Sequence, residues 1–181
     1  MGYMRVQFDA LQNAVYTVDL DMTDFKTTCD MTQGLTYHIH SFWTDTETNS
    51  VTTCSTTGGH YDPYLACSGS SQDHADKCTK IGRTVDQGYT YTCNPDVYKT
   101  GHWSSCEVGD LSGKFGRLMP QNGTLVFTAE HVDRFGPQEV NYQVADNTSN
   151  MWASVVVHCP ADSSRLMCAY FRHDQCKDSK C

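Results

Sequence analysis

Four histidines of the chain have the spacing that could hold a redox-active metal ion. His38 and His40 are separated by one residue, and alternate side chains of an extended strand share a face, so the two imidazoles project together. His60 follows two glycines that can turn it toward them, and His158 ends the apolar run 153–157, which is typical of a buried strand. Four imidazoles without a ligating carboxylate suit copper. A lone histidine pair on a strand is also commonly solvated or hydrogen-bonded, so the surrounding elements decide between the two interpretations.

The elements that must position these histidines are predicted to be β-strands. Turn residues separate segments with period-two alternation and β-branched or aromatic side chains, so the sequence predicts an all-β sandwich or barrel without convincing helical periodicity. Residues 63–116 lack that alternation and contain Cys67, Cys78, Cys93 and Cys106, which indicates long loops cross-linked by disulfides. The predicted strands are 4–8, 14–20, 35–42, 124–128, 140–145, 152–158 and 166–171.

Composition and charge restrict the function further. The chain has 181 residues and ten cysteines without a Cys-x-x-Cys pair, which favours a secreted, disulfide-stapled domain over a zinc ribbon. A net charge of −8 argues against nucleic acid or an anionic membrane as partner, and no apolar run is long enough to cross a bilayer. The first residues lack the hydrophobic core of a signal peptide. We expect one extracellular or cell-surface domain, 1–181, with a tail at 172–181 and a small molecule as its partner.

Several motifs follow one another in a characteristic order: His38-Ile39-His40, Cys54, Gly58-Gly59-His60-Tyr61-Asp62-Pro63, Val108-Gly109-Asp110-Leu111, Val156-Val157-His158 and Arg165-Leu166-Met167-Cys168. Together they resemble the signature of the copper/zinc superoxide dismutases. The resemblance covers residues 1–171. It implies an immunoglobulin-like Greek-key β-barrel or sandwich of about eight antiparallel strands, with long disulfide-stapled loops.

The resemblance implies a role for each matched residue. Arg165 would dock the superoxide anion, because a guanidinium attracts a small anion without competing as a metal ligand. Cys54 and Cys168 would form a disulfide. The implied reaction is a ping-pong cycle in which copper alternates between Cu(II) and Cu(I) while superoxide becomes dioxygen and hydrogen peroxide. The implied copper ligands are His38, His40, His60 and His158.

Two departures from the copper/zinc pattern point to its copper-only subgroup. The zinc-binding histidine of a His-Val-Gly-Asp motif is replaced by Glu107, and Ser68 stands where another zinc-binding histidine is expected. Arg165 follows His158 by only seven positions, where the copper/zinc enzymes insert a long charged loop. The extracellular copper-only superoxide dismutases lack zinc and that loop. We therefore expect one copper ion, no zinc and an unusually open site.

The acidic residues near these departures allow more than one role. Asp110 is expected to accept a hydrogen bond from a copper histidine and so fix its orientation. Glu107 is expected either to act beside His60 in proton transfer or to be a solvated loop carboxylate. Zinc also accepts nitrogen and oxygen ligands, so a zinc site is a less favoured alternative. Its ligands would be His60, His74 or His102, Glu107 and Asp110.

Two functions from different classes are compatible with these motifs. The favoured one is a copper-only superoxide dismutase, and the alternative is a non-enzymatic copper-binding or structural module on the same barrel. Arg165 beside four histidines favours the enzyme, because a scaffold does not need it. Lys114 is expected to help attract the anion or to be solvated. We expect a monomer, with a longer multi-domain chain left open. Spacing does not choose the remaining disulfides, among which Cys176–Cys181 and pairs within residues 67–106 are guesses.

Overall fold

Two antiparallel sheets form the framework of the protein. The computed structural model describes residues 2–41, 43, 54–135 and 153–171. Within these ranges each sheet has three strands. The first has the order β1-β2-β4, with β1 at Gly2–Phe8, β2 at Ala14–Asp21 and β4 at Val126–Asp133. The second has the order β3-β5-β6, with β3 at Thr36–His40, β5 at Ser154–His158 and β6 at Arg165–Tyr170. This confirms a predominantly β fold in antiparallel sheets. A closed barrel of eight strands stays a prediction.

The central strand of the first sheet shows why these segments are strands. Every second side chain of β2 is buried, from Ala14 through Leu20, as one apolar face with a period of two requires. The buried face packs in one core with Ile39 of β3 and Leu166 of β6. The residues on either side of Ile39 are histidines. The same alternation that buries Ile39 in the core therefore turns His38 and His40 to the opposite face of the strand.

Two short α-helices lie in the long loop region, α1 at Pro95–Lys99 and α2 at Leu111–Phe115. Asn94 caps α1 and Asp110 caps α2 through side-chain oxygens that accept backbone N–H groups. Each helix has only five residues, which is too short to produce a periodic pattern in the sequence. In the part of the chain that is described, no helix is long and apolar enough to span a membrane.

Four disulfides cross-link the described residues: Cys29–Cys159, Cys54–Cys168, Cys67–Cys78 and Cys93–Cys106. Two of them close short loops within residues 67–106, where local pairing was expected. The other two join residues 114 and 130 positions apart. Such a framework agrees with the predicted extracellular, oxidising compartment. Cys176 and Cys181 lie outside the described residues.

Several sequence-based expectations differ from the structure. The strand predicted at 124–128 is observed as Val126–Asp133, because alternation continues past the polar Glu130 and His131. The strand predicted at 140–145 lies outside the described residues.

Lys114 is neither solvated nor able to attract an anion at the surface. It is fully buried, and its ammonium group donates to Asp133 Oδ2 at 2.7 Å. Burial lowers the Lys114 pKa, while Asp133 acts in the opposite direction.

Candidate metal centre

The four histidines predicted as ligands meet in one cluster. A ring nitrogen of each of them lies within 4.8 Å of one from every other. The strand register accounts for part of this arrangement, since β3 and β5 are neighbours and His158 pairs with Thr36, two positions before His38. The rings of His38 and His60 are stacked with centroids 4.1 Å apart. The cluster comprises His38, His40, His60 and His158.

His60 reaches the cluster because its segment runs antiparallel to β3. The N–H of Ser41 donates to Gly59 O at 2.9 Å, and the N–H of Tyr61 donates to Ile39 O at 2.9 Å. Gly59 itself is packed tightly, since a Cβ atom there would lie 2.8 Å from the backbone of Gln72. The glycine before His60 therefore permits close backbone packing on both sides of this segment.

The outer ring nitrogens of two histidines are fixed by backbone carbonyls. His40 Nδ1 lies 2.9 Å from Gly58 O, and His158 Nδ1 lies 2.9 Å from Ser163 O. A carbonyl only accepts, so both Nδ1 atoms carry the proton and both Nε2 atoms are lone-pair donors. These Nε2 atoms face each other at 3.3 Å. Two lone pairs in this position repel each other unless a cation or a proton binds them.

His38 completes a donor set that fits a metal ion. Its Nδ1 is buried and has no hydrogen-bond partner among the described residues. A buried polar atom without a partner is unfavourable in a folded protein. Its Nε2 lies 3.5 Å from Asp110 Oδ1, which is long for a hydrogen bond but holds the carboxylate next to the ring. The set available to a metal is thus Nδ1 of His38 and Nε2 of the other three, which are imidazole nitrogens of the kind that copper accepts.

Burial keeps most of these imidazoles neutral. Desolvation lowers the pKa of His38 well below its usual value, that of His40 to about 2 and that of His158 to about 4, with further lowering by neighbouring histidines. Arg165 adds to this effect at both His40 and His158, which shows that its charge acts at the cluster. Neutral imidazole is the form that binds a metal, so the site is prepared for one at neutral pH.

These shifts predict that acid destabilises the metal-free protein. Below the ordinary histidine pKa of 6.5 the unfolded chain protonates His158, whereas the folded protein does so only below about 4. Stability therefore falls as the pH is lowered through this interval, and at pH 5 we expect a loss of about 2 kcal/mol from this residue. Denaturant unfolding at pH 7 and pH 5 measures it. His158→Gln should reduce the pH dependence by the share of this residue, while His38 and His40 keep theirs, and His102→Gln should leave it unchanged. Equal slopes in all three proteins would contradict the prediction.

Glu107 lies directly behind His60. It is fully buried, its Oε2 lies 2.8 Å from His60 Nδ1, and its Oε1 accepts the N–H of Ser68 at 2.9 Å. The expectation of a solvated carboxylate is therefore wrong. Gly109 allows this placement, because a Cβ atom there would lie 2.2 Å from Ile39 O. The loop thus packs its backbone against β3 and turns the carboxylate toward the outer nitrogen of His60.

The alternative zinc ligands lie elsewhere. His74 Nδ1 is hydrogen-bonded at 3.0 Å to the carbonyl of Ser68, and His102 is exposed with its Nδ1 3.1 Å from the hydroxyl of Thr100. Neither histidine joins Glu107 and Asp110 in a metal-sized group among the residues that the structure describes.

Arg165 is held at the edge of the cluster by three acceptors. Its guanidinium donates to Cys54 O, to Thr57 Oγ1 at 3.0 Å and to Gly58 O at 2.9 Å. Cys54 is bonded to Cys168, three residues after Arg165, so one disulfide joins the acceptor segment to β6. Thr57 is fully buried and its hydroxyl also lies 3.3 Å from His40 Nδ1, which links the arginine to a histidine of the cluster.

Sequence analysis missed three residues that contact the cluster or the carboxylates beside it: Thr57, Ser163 and Tyr91, whose hydroxyl donates to Asp110 Oδ2 at 2.8 Å. Ser163 supplies a backbone carbonyl, which any residue type carries, so no pattern could identify it. Thr57 is one of many threonines in its region, and only the folded loop brings its hydroxyl to Arg165. Tyr91 lies two residues before Cys93, and the disulfide partner of Cys93 is Cys106, the residue before Glu107. This pairing places Tyr91 near Glu107, and it could have been considered if the disulfide had been known.

The chain is similar in sequence to a known superoxide dismutase. No protein-family model matches it. Over 162 residues it is 32% identical to a cell-surface Cu-only superoxide dismutase of Arthroderma benhamiae, a match that covers 84% of this chain and 37% of that protein. The chain therefore spans little more than a third of the curated relative.

The fold is similar to that of superoxide dismutase 5 of Candida albicans. For its Cu(II) form the TM-score is 0.51 at 20% identity, and the match covers 98% of this chain and 87% of that one. For a glutamate-to-alanine mutant of the same protein the TM-score is 0.52 at 20% identity, over 92% and 76% of the two chains. The predicted resemblance is confirmed: in sequence the chain is similar to a copper-only superoxide dismutase, and in fold it is similar to superoxide dismutase 5.

Proposed function

We propose that this chain is an enzyme that converts superoxide to dioxygen and hydrogen peroxide with one bound copper ion. The observation that carries the proposal is the pair of Nε2 lone pairs of His40 and His158, which face each other at 3.3 Å with the arginine charge acting on both. Copper held there would supply one-electron chemistry by alternating between Cu(II) and Cu(I) in a ping-pong cycle. The remaining steps depend on groups of the chain itself.

Arg165 is proposed to bind the superoxide anion. Its three acceptors fix the guanidinium, and its remaining N–H groups can donate to an anion at the cluster edge. The net charge of −8 repels an anion at long range, but salt screens charges beyond about 8–10 Å, so the local positive charge dominates near the site. A rigidly held guanidinium orients the small anion with little loss of side-chain entropy on binding.

His60 and Glu107 are proposed to hold and transfer a proton during peroxide formation. Peroxide formation consumes two protons, and the 2.8 Å contact between His60 Nδ1 and Glu107 Oε2 can hold one of them. Glu107 also occupies the outer side of His60 where a zinc ion would otherwise bind, which supports a zinc-free site. The link from Asp110 to His38 would fix the orientation of that ligand.

The setting of the site supports an extracellular enzyme. Four disulfides and the cell-surface location named for the Arthroderma relative favour this compartment. The loop between β5 and β6 is short, with the N–H of Cys159 donating to Ser164 O at 2.9 Å, which supports an open approach to the metal. We propose a monomeric domain with an eight-stranded Greek-key barrel. The region matched in the Arthroderma relative makes up 37% of that protein, which supports a domain that can stand within a longer chain.

The proposal is tested by loading the purified protein with copper, with zinc as a comparison. We expect about one copper per chain and rapid superoxide removal, followed after pulse generation, with one peroxide formed for every two superoxide ions. Arg165→Gln should keep the copper and lower the rate constant about tenfold, because it removes the charge but not the ligands. Stoichiometric copper without superoxide removal would favour the alternative, a copper-binding or structural module.

A further inference from the structure

The hydroxyl of Tyr91 joins the backbone of Glu107 to the carboxylate of Asp110, beside the histidine cluster. It accepts the backbone N–H of Glu107 at 3.0 Å and donates to Asp110 Oδ2 at 2.8 Å. Glu107 contacts His60 at 2.8 Å, and Asp110 lies 3.5 Å from His38. One phenol thus joins the supports of two ligands that are contributed by different segments of the chain.

We propose that Tyr91 is a positioning residue that holds Glu107 and Asp110 in place and so sets the orientation of His60 and His38 toward copper. The inference extends the proposed function, and it concerns the geometry of copper binding rather than the reaction. Among the described residues no other side chain is shown to bond to both Glu107 and Asp110 themselves. Without the Tyr91 hydroxyl the two residues would be joined by the backbone bond from the Asp110 N–H to Glu107 O, and the Asp110 carboxylate would lose one of its partners.

The chain fixes this phenol in two ways. Tyr91 precedes Cys93 by two residues, and Cys93 is bonded to Cys106, the residue immediately before Glu107. The disulfide therefore holds the tyrosine segment next to the carboxylate segment. Burial raises the pKa of the Tyr91 phenol, an effect that Asp110 and Glu107 reinforce, so the O–H is retained and can donate. Asp110 Oδ1 accepts the N–H of Gly113 at 2.7 Å as the cap of α2, which leaves Oδ2 as the acceptor for the phenol.

The test compares Tyr91→Phe with Tyr89→Phe in the full chain. Tyr89 lies in the same loop region and its hydroxyl donates to Ala66 O at 2.7 Å, so the control removes one hydroxyl and one hydrogen bond, whereas Tyr91→Phe removes one hydroxyl and two hydrogen bonds. Copper(II) affinity is measured by competition with a chelator, and the ligand field by electron paramagnetic resonance. We expect Tyr91→Phe to weaken copper(II) binding about three- to tenfold and to change the hyperfine splitting, since partners behind metal ligands commonly affect affinity to this extent or more.

A double-mutant cycle identifies the route of the effect. In an Asp110→Asn background, which keeps a capping side chain for α2, Tyr91→Phe should cost less copper affinity than in the native background. Equal copper affinity and spectra for Tyr91→Phe and Tyr89→Phe would overturn the proposal, even if both lose thermal stability. A Tyr91→Phe protein that does not fold would overturn it too, because the hydroxyl would then serve the fold as a whole.

These measurements separate the inference from the proposed function. Copper affinity and the resonance spectrum report on ligand orientation whether or not superoxide is removed. If native protein binds copper but lacks activity, the proposed enzyme fails while the Tyr91 comparison still gives its answer.

Discussion

Substitution of His158 by alanine is expected to abolish stoichiometric copper binding and to lower the rate constant for superoxide removal about 100-fold or more. The residue supplies the Nε2 that lies 3.3 Å from His40 Nε2, and it is buried at the end of β5. The remaining three histidines would bind copper more weakly and in a less defined geometry. Metal analysis after gel filtration and superoxide decay kinetics measure the two effects.

The matched control for this change is His102→Ala. His102 is exposed in the loop region, and its Nδ1 bonds to a neighbouring threonine hydroxyl rather than to the cluster. We expect this variant to keep native copper content and rate. A His158→Ala protein with one tightly bound copper and a native resonance spectrum would show that His158 is not a ligand. A loss of copper in His102→Ala would instead support a metal site in which His102 is a ligand together with His60, Glu107 and Asp110.

Removal of the Cys54–Cys168 disulfide by double substitution to serine is expected to reduce both stability and activity. The bond joins residues 114 positions apart, so its loss should lower the free energy of unfolding by about 2–4 kcal/mol, less than for an otherwise open loop because other disulfides remain. It also frees the segment whose Cys54 and Gly58 carbonyls hold Arg165. We expect the rate constant per bound copper to fall about tenfold as the guanidinium loses its fixed position.

A serine pair at Cys67 and Cys78 is the comparison for that variant. Its bond spans 11 positions, and its loop contacts Glu107 through the N–H of Ser68 but supplies none of the acceptors of Arg165. Denaturant unfolding of the metal-free proteins measures the stability loss, and superoxide decay normalised to copper content measures the effect on the site. An unchanged rate per copper in the variant without the Cys54–Cys168 bond would show that this bond has no role in holding Arg165.

Strand positions and the histidine cluster could be predicted because both depend on local alternation. Buried and exposed side chains alternate along β2, and the prediction of 14–20 differs from the observed strand by one residue. The same alternation separates Ile39 from its flanking histidines. The order of the motifs along the chain then predicted that His60 and His158 belong to the same site. In the structure one ring nitrogen of each of the four histidines lies within 4.8 Å of the others.

The supports of the site could not be predicted, because they depend on tertiary contacts and backbone groups. Glu107 was ambiguous, since only the folded loop shows that it is fully buried and receives the N–H of Ser68. The partner of Cys29 is Cys159, 130 positions away, and nothing in the spacing selects it. Tyr91 belongs to the same class of residue, because its hydroxyl acquires its two partners only when separate loops pack together.

The buried pair of Lys114 and Asp133 determines how α2 can dock. Apart from Asp133, the Lys114 ammonium group donates to Val108 O at 2.9 Å and to Phe135 O at 3.0 Å. Rotating the helix by one residue, about 100°, would separate the buried ammonium group from Asp133. Leaving a buried charge without its partner would lower the free energy of unfolding by several kcal/mol. These three hydrogen bonds of the Lys114 ammonium group therefore favour one rotation of α2 about its axis. Because Asp110 caps that helix, a contact on the first sheet selects the position of a carboxylate at the histidine cluster.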